Sequence, residues 1–230
     1  MIAASAFAAL RQALSQPLRR LVFKALGLTV LLLVGLWVAL TQGFGWLLRT
    51  YPISVDYPVV DGFVWFMAGA GLLVALLYLL PAITALVGGF FADDAAEVVE
   101  RSDFPADPPG KPLPAGRAVL YGIRFAGLAL LVNLLALTLV FVPGVNLVAF
   151  FAANAYLLGR EYFEMAAARF MPVAEAGRQR RENRATVLAA GAVVACLVLV
   201  PVVNLAVPIF ATALMVHLHK RIARRRLAPL

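Results

Sequence analysis

Charged side chains and cysteine are both scarce in this sequence. Of its 230 residues, 14% are charged and 63% are hydrophobic, whereas about a quarter of the residues of an ordinary soluble domain are charged. The single cysteine, Cys196, excludes an internal disulfide framework. The apolar content excludes a disordered chain and a soluble nucleic-acid binder, although the net charge is +8. We therefore expect a membrane protein with no nucleic-acid partner.

Motifs for catalysis and metal binding are also missing. The sequence contains no glycine-rich phosphate loop, no His-Glu-x-x-His zinc motif and no Gly-x-Ser-x-Gly elbow. Its two histidines, His217 and His219, are two positions apart and point to different sides of a helix, which makes a poor metal pair. The acidic residues at 93–100 are expected on a solvated helix face. We predict no catalytic residue, metal site or cofactor, and no enzymatic activity.

Four long runs contain no Asp, Glu, Lys or Arg: residues 25–48, 62–92, 125–159 and 185–216. An apolar helix needs roughly 20 residues to cross about 30 Å of hydrocarbon. The first run fits one crossing with some tilt, and the second fits a longer crossing that extends past the bilayer. The third and fourth runs are too long for one simple crossing.

Basic residues are distributed unevenly between these runs. Four precede the first run, one (Arg49) lies between the first two runs, and the three later connections hold four, six and five. By the positive-inside rule, only residues 41–61 face the outside. The third and fourth runs should therefore enter and leave the membrane on the same side, with both chain termini in the cytoplasm.

A repeated sequence divides each of the last two runs. Val-Pro-x-Val-Asn-Leu occurs at 142–147 and again at 200–205, an offset of 58 residues. Proline stops the incoming helix and asparagine accepts turn geometry. The resulting legs of 12 to 18 residues reach only about 18 to 27 Å, which is short for a crossing. We predict two half-penetrating hairpins.

The tips of these hairpins are candidate pathway residues. Non-helical backbone at membrane depth must be buried in protein or line a wet cavity. The alternative role of the asparagines is hydrogen bonding between helices. The candidate tip residues are Pro143, Asn146, Pro201 and Asn204.

The fold class that follows is an all-α integral membrane protein with two long transmembrane helices, two half-penetrating (re-entrant) helical hairpins and interfacial helices, in a single membrane domain. The predicted parts are an interfacial helix with an anion motif (1–20), the two transmembrane helices (21–48 and 62–92), a proline-rich linker (102–116), hairpin 1 (125–159), a surface helix interrupted at Pro172 (160–184), hairpin 2 (185–216) and a basic tail (217–230).

The strongest candidate for anion binding precedes the first run. Pro17 suits the first turn of a helix and Ser15 or Gln16 suits its cap, so free backbone N–H groups would gather beside Arg19 and Arg20. Such a combination attracts oxyanions. The alternative is that the two arginines snorkel to lipid headgroups and only set the topology.

Three segments carry a resemblance to a known family: Ser-Gln-Pro-Leu-Arg-Arg at 15–20, the first repeat at 142–147, and Leu-Val-Pro-Val-Val-Asn-Leu-Ala-Val-Pro at 199–208. Together they resemble the CysZ family of bacterial sulfate transporters, which is related to the etoposide-induced membrane proteins. The resemblance implies an inner-membrane protein with two long helices and two half-penetrating hairpins. It also implies proton-coupled sulfate uptake that supplies cysteine synthesis.

The resemblance further implies a substrate site. In the family, a Gly-Leu-Arg-type motif before the first membrane helix binds sulfate, and the matching positions here are Leu18, Arg19 and Arg20, with Pro17 in place of the glycine. Our leading hypothesis is a transporter of sulfate or a related oxyanion, with that anion, the lipid bilayer and further copies of the chain as partners. The alternative is a non-transporting membrane protein that organises lipid or a partner, and a lipid-modifying enzyme is a distant third.

Overall fold

The fold is all-helical throughout the part of the chain that the computed structural model describes, which is residues 2–50, 58–112, 114, 116, 131 and 144–227. These residues contain eight helices and no strand. In chain order the helices are α1 (Ile2–Ala13), α2 (Gln16–Thr50), α3 (Pro58–Asp103), α4 (Val145–Ala168), α5 (Val173–Glu182), α6 (Arg184–Val198), α7 (Pro201–Asn204) and α8 (Val207–Leu227).

The chain divides into two compact units. The two-helix unit is Phe23–Phe90, and the core unit is Met1–Val22 together with Phe91–Leu230. In the two-helix unit, the rings of Phe44 and Trp65 meet edge to face with their centroids 6.3 Å apart. Many of its large apolar side chains are exposed, as expected for helices that face lipid.

Among the described residues, one helix meets the requirements of length and composition for crossing a membrane. The stretch Gln16–Leu47 of α2 has 32 residues, and its most apolar window of 18 residues has a mean hydropathy of 2.3. Its length of about 48 Å exceeds the hydrocarbon thickness. The predicted second crossing, 62–92, lies inside α3, which is one uninterrupted helix of 46 residues. The described residues of α3 contain a shorter apolar stretch, Gly62–Val74. The second crossing therefore stays a prediction.

Apart from Leu131, the first leg of the predicted hairpin 1, together with Pro143, lies outside the described residues. Its second leg begins as α4 directly after Gly144, whose φ of 84° suits glycine because it has no Cβ. α4 continues without a break across the predicted boundary between residues 159 and 160 and ends at Ala168. Leucine, glutamate, methionine and alanine are good helix formers, so the helix persists where the polarity changes. The predicted interruption at Pro172 is confirmed, since α5 begins at Val173.

In the fourth apolar run, α6 ends at Val198, and the short helix α7 and then α8 follow. The predicted helix stop at Pro201 is confirmed: Val200 is extended (φ −97°, ψ 108°) and Pro201 opens α7. How deeply this segment enters the membrane stays a prediction. The last helix also continues across the predicted boundary between residues 216 and 217. α8 runs to Leu227 and buries residues 217–220, because partners from other elements surround them.

Helices α4, α6 and α8 form the centre of the core unit, and α1 packs on α8. Backbones meet where α4 crosses α6. A Cβ added to Gly159 would lie 2.7 Å from the carbonyl oxygen of Val187, and one added to Gly191 would overlap the carbonyl oxygen of Ala155. Only glycine fits at either position, because a side chain would push the two helices apart.

Candidate functional site

The predicted anion motif lies at the start of α2, in the core unit. The helix begins at Gln16, so Pro17 is in the first turn as predicted, and the N–H of Arg19 donates to the carbonyl oxygen of Ser15 over 2.9 Å. The side chain of Leu18 is fully buried. Leu18 therefore anchors the helix start by packing.

Arg19 and Arg20 are both exposed. Across the residues that the structure describes, neither guanidinium group pairs with a carboxylate. Their positive charge adds to that of the helix start, where backbone dipoles also attract negative groups. The arrangement can attract an anion from solution or from a lipid headgroup.

The predicted tip residues occupy different elements. Asn146 is the second residue of α4, and Asn204 is the last residue of α7, where its N–H donates to the carbonyl oxygen of Val200 over 2.8 Å. Asn204 is half-buried. Within the described ranges, no hydrogen bond or ion pair joins Arg19 or Arg20 to Asn204. The predicted anion motif and hairpin tip are therefore not in polar contact.

The two histidines of α8 are buried and point to different sides, as their spacing predicts. His217 Nε2 lies 2.9 Å from Oε1 of Gln12, and Gln12 in turn donates to the hydroxyl of Ser102. His219 Nδ1 lies 2.9 Å from Oε1 of Gln179. Because the amide oxygen only accepts, each imidazole donates from the named nitrogen. These two bonds tie α8 to α1 and α5.

Both histidines are neutral at neutral pH. Burial lowers the pKa of His217 to about 4, with Asp103 opposing the change and Arg221 and Arg11 adding to it. Burial also lowers the pKa of His219 to about 4, and the neighbouring Lys220 contributes. The ring of His219 stacks on Phe170 with centroids 5.1 Å apart. Their role in this structure is hydrogen bonding and packing.

The expectation of a solvated acidic face at 93–100 holds for Asp93 and Asp94, which are exposed, and is wrong for Glu100, which forms a buried ion pair. Glu100 and Arg169 are each 5% exposed, and Arg169 Nε lies 2.8 Å from Oε1 of Glu100. Arg169 also pairs with Asp93, and the N–H of Gly110 donates to Glu100 over 2.8 Å. These partners compensate the burial of charge. Since Arg169 is 69 residues from Glu100, helical spacing alone could not reveal the pair.

The core unit contains a second basic site that the sequence did not predict. A cavity of about 730 Å³ lies between α1, the end of α3 and α8, and we call it the α8 groove. In the sequence, its four arginines indicate only which side of the membrane each connection faces. The spacing of positions 217, 221, 224 and 225 on one helical face was a visible signal, but the contribution of α1 required the packing. The arginines are Arg11, Arg221, Arg224 and Arg225.

Comparison with known proteins assigns the family. A search of curated proteins finds no match. The family described as sulfate transporter CysZ/etoposide-induced protein 2.4 matches residues 5–208. This range includes the anion motif and both copies of the repeated sequence, and it ends before the arginines of α8. Since the match covers most of the 230 residues, the chain belongs to the sulfate transporter CysZ/etoposide-induced protein 2.4 family, as the resemblance predicts.

Proposed function

We propose that the protein carries sulfate or a related oxyanion across the bacterial inner membrane, coupled to protons, and supplies sulfur assimilation. The observation that carries the proposal is the pair of exposed arginines, Arg19 and Arg20, at the start of the long apolar helix of a chain from a sulfate-transporter family. A dianion bound there would lie at the N-terminus of α2, beside the membrane that this helix is long enough to cross.

Proton coupling needs a group that exchanges a proton near neutral pH. Burial raises the pKa of the Glu161 carboxyl to about 7, which suits this role. Glu161 lies in α4, beyond the end of the predicted hairpin 1. The tip residues Asn146 and Asn204 are proposed to line the path between the two membrane faces, and a homo-oligomer in the inner membrane with cytoplasmic termini is part of the same proposal.

The direct test is flux. Purified protein in liposomes should take up radiolabelled sulfate faster than empty vesicles, and an inward proton gradient should raise the initial rate. Uptake equal to that of empty vesicles under both conditions would overturn the proposal.

Replacing either arginine of the anion motif should weaken sulfate binding. A hydrogen bond to a charged group contributes about 1.5 to 3 kcal/mol, so Arg19→Ala and Arg20→Ala should each raise the Kd by about 10- to 100-fold. The measurement is calorimetric titration of purified protein with sulfate at low salt. Arg178→Ala is the matched control, because Arg178 is an exposed arginine of α5 that pairs with Glu175. An equal loss in the control, or none in the two variants, contradicts the site.

Cysteine labelling tests the proposed path at the second tip. Cys196 is exposed and must first be replaced by serine. In that background, Asn204→Cys should react with a water-soluble maleimide in intact membranes, because water reaches a transport path. Ala213→Cys is the control and should stay unlabelled, since Ala213 is fully buried in α8. If the cysteine at position 204 reacts with the maleimide only after the protein is unfolded, the result contradicts a water-filled path.

A second candidate function is favoured by one observation. The side chains of Phe7, Leu10 and Leu14 form an exposed apolar face on or beside α1, which is typical of helices that lie in a membrane interface. A non-transporting protein that organises lipid or a partner would use this face. Vesicle binding without sulfate uptake would select this function.

A further inference from the structure

The α8 groove is built from one face of α8 and one face of α1. His217, Arg221, Arg224 and Arg225 follow the spacing i, i+4, i+7 and i+8, so α8 presents them together. Arg11 of α1 completes the basic lining. A volume of about 730 Å³ lies within the range of about 300 to 1,000 Å³ that is usual for small-ligand sites.

Positive charge in the α8 groove exceeds the negative charge available to neutralise it. Within the described residues, Asp103 is the carboxylate of the lining, and its Oδ2 lies 3.8 Å from Nη2 of Arg11. Arg224 forms an ion pair with Asp107, a residue outside the lining, over 3.5 Å. The same positive potential acts on His217, whose pKa Arg221 and Arg11 help to lower.

Two guanidinium groups of the α8 groove are left available for a ligand. Arg225 is exposed and has no ion pair or hydrogen bond in the described part of the chain, and Arg221 makes only a long bond, 3.4 Å, to the carbonyl oxygen of Ala4. A planar guanidinium group offers paired N–H donors that match the oxygens of phosphate and sulfate. Arg221 and Arg225 are one turn apart on the same helix, so both can contact one tetrahedral anion.

The surroundings admit a ligand with an apolar tail. Ala4, Ala8 and Arg11 of α1 line the α8 groove, and Phe7 and Leu10 lie on the adjacent, exposed face of that helix. An anionic lipid could place its phosphate among the arginines and its acyl chains along this face. A free oxyanion could occupy the same guanidinium groups.

We propose that the α8 groove binds a tetrahedral oxyanion of the phosphate or sulfate class through Arg221 and Arg225, as a site separate from Arg19 and Arg20. The oxyanion comes either from the headgroup of an anionic phospholipid or from free phosphate or sulfate. The proposal does not depend on transport, because neither Arg19 nor Arg20 lines the α8 groove.

The test is made in the full chain carrying Arg19→Gln and Arg20→Gln, so that binding at the start of α2 does not contribute. Calorimetry measures titrations with inorganic phosphate, sulfate, a short-chain phosphatidylglycerol and, as the zwitterionic comparison, the matching phosphatidylcholine. We expect at least one of the anionic probes to bind, and the further substitutions Arg221→Gln and Arg225→Gln to weaken that binding at least 10-fold. Arg178→Gln is the matched charge control and should leave it unchanged.

The probes also distinguish the two sources. Binding of phosphatidylglycerol but not phosphatidylcholine assigns a lipid headgroup, and binding of phosphate or sulfate without phosphatidylglycerol assigns a free anion. Either result supports the site. Absence of binding by every anionic probe overturns it, as does binding that Arg221→Gln and Arg225→Gln do not reduce more than the control. Arg225→Gln alone keeps the test valid if the double substitution fails to fold, because Arg225 has no described protein partner.

Discussion

Substitution of Gly191 by leucine will prevent α6 from packing against α4 and will leave little folded protein. A Cβ at this position would overlap the carbonyl oxygen of Ala155 and lie 2.7 Å from Cα of Gly159. Both obstacles are backbone atoms, so the strain cannot be relieved by a side-chain rotation. The two helices must separate, and contacts along both are lost.

The expected loss is large on the scale of protein stability. Overpacking of a core by side chains costs about 1 to 3 kcal/mol, and displacement of whole helices costs more. Since folded domains are stable by about 5 to 15 kcal/mol, Gly191→Leu should lower the thermal midpoint sharply or abolish folding. Even Gly191→Ala should destabilise, although alanine favours helices over glycine.

The measurement is size-exclusion chromatography in detergent followed by thermal unfolding monitored by circular dichroism. Gly35→Leu is the matched control, because Gly35 lies in the apolar helix α2 and a Cβ there would have no neighbour within 4 Å. The control should elute and melt like the wild type. A monodisperse Gly191→Leu protein with the wild-type midpoint would show that α4 and α6 are not in backbone contact.

The repeated sequence shows how far local pattern determines local structure. Both copies contain proline, valine and asparagine, and the sequence predicts the same turn for each. In the first copy, Gly144 has a φ of 84° and α4 starts after it, whereas the matching Val202 lies inside the short helix α7. A β-branched residue avoids positive φ, so the one difference between the copies changes the backbone.

The sequence predicted best those features that depend on neighbouring residues. The start of α2 around Pro17 and the helix stops at Pro172 and Pro201 follow from the chemistry of proline, and the structure confirms them. The boundaries at 159 and 216 were placed where charge reappears, but a helix ends only where its hydrogen bonding is interrupted. Polarity therefore did not predict the helix ends.

In the candidate sites, too, the features that depend on neighbouring residues could be predicted and the others could not. The exposed arginines at the start of α2 were predictable, because capping and charge are local. The Glu100–Arg169 pair and the α8 groove were not, because each joins elements that are far apart in sequence. Arg11 and Arg225 share a cavity only because α1 packs on α8.

Acidification from pH 7 to pH 4.5 should destabilise the core unit through His217 and His219. In the unfolded chain each imidazole has its ordinary pKa of 6.5, and in the folded protein burial lowers the pKa to about 4. Between these values the unfolded state binds more protons, so stability rises with pH in this window. The stability that the two neutral histidines contribute is fully present above about pH 6.5 and is lost progressively as the pH falls towards 4.

Burial is the main cause of the lowered pKa of both histidines, and nearby positive charges add to it. A proton on His219 would place a second positive charge beside Lys220, whose Nζ lies 4.0 Å from the centroid of the Phe170 ring on which His219 also stacks. His217 would face Arg221 and Arg11, and Asp103, 3.5 Å away, would compensate only in part. A pKa difference of one unit corresponds to about 1.4 kcal/mol, so each buried histidine should contribute on the order of 3 kcal/mol across the window.

The experiment compares thermal midpoints of wild type and the variant His217→Gln/His219→Gln in detergent between pH 7.5 and pH 4.5. The comparison is needed because Glu161 acts in the opposite direction. Its folded pKa of about 7 exceeds the ordinary 4.5, so it adds stability as the pH falls through that range. The variant retains Glu161 but cannot protonate at 217 or 219, and its midpoint should therefore fall less on acidification. Parallel pH profiles for the two proteins would show that the histidines are not held neutral by the fold.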